Sequence, residues 1–241
     1  MTRLIAYAHR LHFVAAFEGH SAKHIGELLD VWCRPEWAPT EWGPDERAGG
    51  TFDRAAVIKW MTREEGRPGV LRRKTPRWVG GWYALDGGLF EYTVDWEEVP
   101  EALAELPFQM ADAMAELLSP IWGQVQPSYR GVGPFWNQVT NISGEELVKF
   151  GPLGVTARTW IGPHIVKLIG DERLREAPAS IRDAAGGVCL ELLPEPWKQD
   201  AAALAAKQRE VVDYLAPAGI WADYSKFLKF KAGFSWQLSC L

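Results

Sequence analysis

Apolar and polar positions alternate most plainly between residues 78 and 96. Two runs, 78–85 and 89–96, flank Asp86-Gly87-Gly88, which is the pattern of a β-hairpin. In the second run Phe90, Tyr92, Val94 and Trp96 share one face, while Glu91, Thr93 and Asp95 share the other. Helical spacing takes over elsewhere. Ser21 is placed to cap a helix with Ile25, Leu28, Leu29 and Trp32 on its buried stripe. Asp53 starts a second helix, with Val57, Trp60 and Met61 inward. A third points Phe108, Ala111, Met114, Ala115 and Leu118 inward and Asp112 and Glu116 outward, and Pro120 ends it. Residues 200–215 give a last helix with Leu204, Val211, Val212 and Leu215 on one stripe.

The stretch 151–170, GPLGVTARTWIGPHIVKLIG, reads as one compact unit. Residues 155–161 are rich in β-branched and aromatic side chains and predict a strand. Gly162 breaks it, and Pro163 suits the first turn of a helix carrying Ile165, Leu168 and Ile169, with Gly170 as its stop. Upstream, Ser143 and Glu146 have capping-box spacing before Leu147, Val148 and Phe150, and Gly151 closes that helix. A strand at 188–193 is expected to pair with 155–161, and another is expected at 11–17. Residues 34–50, 67–77 and 122–141 read as irregular, the second as a solvated basic loop. The tail alternates aromatic residues with lysine and predicts a final strand or packed extension. The whole is an α+β fold: one domain over residues 1–241, or two closely packed halves meeting near 120–140. Its sheet is mixed or antiparallel and is packed by amphipathic helices.

Composition narrows the function classes. Thirteen tryptophans are scattered without a fixed period, so most are expected in the core and a minority at an interface. A net charge of −5 disfavours nucleic acid as a direct ligand. Three cysteines without metal-like spacing suit a reducing compartment. His9, Arg10 and His12 interrupt the apolar N-terminal run, so it does not read as a secretion signal. No apolar run of about 18 residues occurs, and a cytoplasmic protein without a membrane span is expected.

The chain carries few signs of catalytic chemistry. No phosphate-cradling glycine loop, nucleophile elbow or zinc-protease helix is present. His20 and His24 lie four apart, but no third ligand sits at metal spacing. His164 beside Pro163 fits a capping or packing role better than a general base. The run Glu97, Glu98, Glu101, Glu105 reads as an acidic face rather than an acid–base pair. Asn141-Ile142-Ser143 matches a glycosylation sequon, without a secretion route to use it. No catalytic residue, metal or cofactor is predicted.

One resemblance adds to this. At GVTARTWIGPHIVKLIG, with the earlier GPFWNQVTNISGEELVKFGPLG and the later GGVCLELL, the chain resembles the immunity protein 52 family of bacterial polymorphic toxin systems. Gly154, Arg158, Trp160, Gly162 and Pro163 carry the signature, which concerns packing and covers the second half of the chain. The resemblance implies a cytosolic antidote to a toxin encoded beside it, typically a nuclease with a restriction-endonuclease fold, delivered by type VI secretion. An acidic antidote is steered toward the basic surface of such a nuclease. The expected contact surface is Asp95, Glu97, Glu98, Glu101 and Glu105, joined by Trp37 and Trp42 from the loop at 35–47. The acidic turn Asp171, Glu172, Glu176 competes with it. Two other classes stay open: a non-toxin binding or scaffold protein of the same fold, and an enzyme using His20, His24 or His164.

Overall fold

The computed structural model describes residues 8–16, 21–45, 49–63, 69–129, 142–224, 230–233 and 235–236. His20, Asn141 and most of the aromatic–lysine tail lie outside these residues. Among the described residues ten strands form one sheet: β1 Ala8–Ala16, β2 Glu41–Gly43, β3 Gly50–Thr51, β4 Gly69–Lys74, β5 Arg77–Leu85, β6 Leu89–Glu97, β7 Trp122–Ser128, β8 Arg158–Ile161, β9 Ser180–Ala184 and β10 Gly187–Glu191. Their order is β3-β2-β4-β5-β6-β1-β7-β8-β10-β9. Each neighbouring pair is antiparallel. Two further strands, β11 Asp223–Tyr224 and β12 Phe230–Lys231, pair with each other. The helices are α1 Ala22–Trp32, α2 Arg54–Arg63, α3 Leu106–Leu118, α4 Gly144–Phe150, α5 Pro163–Ile169, α6 Asp171–Arg175 and α7 Ala201–Leu215. The fold is α+β, with helices packed on the sheet.

The hairpin forms as its alternation predicts, with Leu85 paired to Leu89 across the turn. Phe90, Tyr92, Val94 and Trp96 are buried, and the residues between them are half-exposed. Their apolar face lies under α1 and α3. Trp32 of α1 meets Trp78 edge-on at 6.2 Å and Trp82 at 5.9 Å, and Trp78 continues to Trp96 at 6.3 Å. All four rings are fully buried. Each such pair contributes about 0.5–1.5 kcal/mol beyond the area it buries.

Side-chain caps start the helices where the sequence places them. Ser21 Oγ accepts from the His24 N–H, and Asp53 accepts from Ala55 and Ala56. Ser143 and Glu146 exchange hydrogen bonds as a capping box, and Asp200 accepts from Ala203. Pro163 opens α5. Gly151 at φ 96° and Gly170 at φ 90° end α4 and α5 in a backbone region that side chains resist.

Three stretches read as irregular contain strands. β4 runs through the basic segment, because Val70, Arg72 and Lys74 alternate with Leu71 and Arg73. Residues 34–50 include β2, which joins the sheet at β4. Residues 122–128 form β7 near the middle of the sheet, between β1 and β8. Pro127 is tolerated there because β8 pairs only as far as Val125, so one side of the strand needs no N–H beyond that point. Predicted strands also change length, and 188–193 becomes Gly187–Glu191. The one at 155–161 shortens to Arg158–Ile161 and pairs with β10 as expected, and the N-terminal one begins at Ala8.

Candidate partner-binding surface

The register divides the predicted surface between the two faces of the sheet. Asp95 pairs with Val79, Val79 with Arg72 and Arg72 with Glu41, so these residues share the face opposite α1 and α3. Trp42 pairs with Leu71, Leu71 with Gly80 and Gly80 with Val94, which is the helix-covered face. Trp37 is buried on that side too. Its indole N–H donates to the Val31 carbonyl at 2.8 Å, and its own carbonyl accepts from the Trp78 indole at 3.0 Å. Trp37 is thus a core residue and Trp42 is half-buried. Neither shares a face with Asp95 and Glu97, so the two tryptophans and the strand carboxylates do not make one surface.

The carboxylates themselves fall into two groups. Asp95 takes a bidentate grip from Arg10, with Nε–Oδ1 at 2.6 Å and Nη2–Oδ2 at 3.0 Å. Glu97 lies 2.9 Å from the Arg77 Nε. Across the same face Lys74 pairs with Glu41 at 2.6 Å. What the sequence presents as an acidic strand is a ladder of alternating charge, and pairing removes most of its field. Glu98, Glu101 and Glu105 differ. They follow β6, are exposed, and make no ion pair among the described residues. Glu98 has φ 51°, a left-handed backbone that costs a side-chain-bearing residue about 1–2 kcal/mol. In the competing turn Arg175 neutralises Asp171, while Glu176 keeps its charge and accepts from the Tyr214 hydroxyl at 3.4 Å.

Two buried polar groups lie nearby. His12 and Gln124 pair directly across β1 and β7 and are each 2% exposed. His12 Nε2 lies 2.9 Å from Glu91 Oε1. Burial pushes the Glu91 carboxyl up, but the His12 imidazole, the Gly144 backbone N–H and the charge of Arg10 outweigh it and hold the carboxyl below its ordinary value. On the helix-covered face Arg158 bonds Glu191 and, at 2.7 Å, Asp112 of α3. Its guanidinium carbon lies 5.3 Å from the Phe108 ring centre and 5.8 Å from that of Trp197. Arg158 is a structural clamp. His24 lies 3.0 Å from Ser21 Oγ at the start of α1, and His164 is half-buried on α5. Among the described residues no group of three or more His, Cys, Asp or Glu is arranged to hold a metal ion. No described helix is long and apolar enough to cross a membrane.

Sequence reasoning missed Arg10, Glu41, Lys74 and Arg77 as members of this face. The alternation of Val70, Arg72 and Lys74 was the signal for part of it. Arg10 and Asp95, 85 positions apart, meet only through strand order. No family model and no curated protein matches this chain.

Proposed function

We propose that the chain is an immunity protein. In this reading it binds a cognate bacterial toxin in the cytoplasm, a nuclease effector of a type VI or contact-dependent system, and neutralises it by occluding it directly. The observation that carries the proposal is the acidic rim after β6. Glu98, Glu101 and Glu105 are exposed and make no ion pair among the described residues, while Asp95 and Glu97 beside them are held by arginines. Unpaired carboxylates keep their field in solution, and such a field draws in the basic surface that a nuclease needs for its substrate. The resemblance of the 154–163 signature to the immunity protein 52 family supplies the class of partner.

Co-expression with the product of the adjacent gene tests the reading. The chain is expected to restore growth and to co-purify with that product. A toxin that kills equally well in its presence overturns the proposal. Replacing Glu98, Glu101 and Glu105 together by lysine should weaken the complex about tenfold or more, because reversed rim charges repel where they had attracted.

A further inference from the structure

At the β4–β5 turn lies a pocket of about 540 Å³ to which both faces of the hairpin contribute, Arg73 and Trp78 from the helix-covered side. Four cations line it, Arg72, Arg73, Lys74 and Arg77, together with two carboxylates, Glu41 and Glu97. Trp78 and Val79 complete the lining. We propose that this pocket binds a small organic anion carrying two or more carboxylate or phosphate groups. The site stands apart from the toxin-neutralising reading, since it requires no partner protein.

The local charge runs against the chain. The protein as a whole carries −5, yet here cations outnumber carboxylates two to one. Arg73 is locked in place: its Nε donates to the Thr75 carbonyl at 2.8 Å, and its Nη1 donates to Ala38 at 3.0 Å and Pro35 at 3.3 Å. Those acceptors are neutral, so they fix the guanidinium and leave its charge in force. Lys74 and Arg77 extend into solvent, with side chains 76% and 60% exposed, and each is steadied by one carboxylate. An ammonium has three donors and a guanidinium five, so a single carboxylate leaves both with N–H groups for a ligand. The strand behind the pocket is rigid, because the Trp78 ring is fully buried on the helix-covered side and its indole N–H is bound to Trp37. The volume falls in the range of small-molecule sites, about 300–1,000 Å³, and exceeds what one inorganic phosphate fills.

Calorimetric titration of the full chain at low salt with citrate, pyrophosphate and inorganic phosphate tests this. Citrate or pyrophosphate is expected to bind one to one and more tightly than phosphate. The tighter of the two tells whether carboxylate or phosphoryl groups are preferred. The double variant Lys74→Gln, Arg77→Gln should weaken binding about tenfold or more, since each loses a charge-assisted hydrogen bond. Glu97→Gln should strengthen it a few-fold by removing a competing anion. Thermal unfolding of each variant checks that the fold is kept. The proposal is overturned by the absence of binding heat with all three anions. It is equally overturned by binding that the folded double variant retains, or by a Glu97→Gln change that weakens binding.

Discussion

His9 on β1 is 1% exposed, and its ring meets Phe108 edge-on at 5.6 Å. Burial pushes the imidazole down from 6.5 to about 3, because the charged form is poorly solvated there. In the folded protein the ring therefore stays neutral throughout the mildly acidic range. The unfolded chain takes up this proton as pH falls below about 6.5. Between pH 6.5 and 3 the unfolded state holds more protons at this site, so stability rises with pH. His9 accordingly costs no stability above about pH 6.5, and its penalty grows progressively as the pH approaches 3. A His9→Leu protein should show a shallower acid limb when urea midpoints are compared at several pH values in this window. An unchanged slope would mean that the ring is already protonated in the fold.

At the scale of elements, Arg158 joins pieces that the sequence places far apart. It reaches from β8 to Asp112 on α3 and Glu191 on β10, and Arg182 of β9 binds the other oxygen of Asp112 at 2.9 Å. Losing the guanidinium leaves Glu191 without its cation and Asp112 held by Arg182 alone among the described residues. Arg158→Met is therefore expected to destabilise by about 2–4 kcal/mol, toward the lower end because Asp112 and Glu191 keep some solvent. Arg158→Lys should recover only part of that, since an ammonium cannot span both acids or stack on two rings. Chemical denaturation of the three proteins measures the difference. Legibility follows the same line between local and distant causes. The hairpin at 77–97, the capping box at Ser143 and the start of α7 could be read because their causes sit within a few residues. β7 could not, since Gly123, Gln124 and Pro127 carry no strand preference, and only pairing with β1, and with β8 as far as Val125, makes a strand of them. The candidate surface fared likewise. The rim glutamates were visible as a run, but the arginines that silence Asp95 and Glu97 come from other strands.

For the molecule as a whole, sign and position of charge matter more than the total. One face of the sheet carries a paired ladder, a cation-rich pocket sits at the β4–β5 turn, and the carboxylates just past the end of β6 make no ion pair among the described residues. If the rim guides a basic partner, association should slow as salt rises, because exposed charges are screened beyond about 8–10 Å at moderate ionic strength. Dissociation should change little. Stopped-flow association at two salt concentrations checks this, and the triple lysine variant should flatten or invert the dependence. An unchanged salt slope in that variant would place the contact elsewhere on the protein.

The position of β1 has a consequence for how the chain acquires its structure. Both of its neighbours, β6 and β7, are encoded downstream, at 89–97 and 122–128. The strand that leaves the ribosome before the others in this sheet must therefore wait for residue 128 before both its edges are matched. Until then the largely apolar run Leu11 to Ala15 lacks at least one native partner in the nascent chain, and late long-range pairing of this kind slows folding and exposes it to aggregation. At the centre of this sheet a strand is made before either of the neighbours that will hold it.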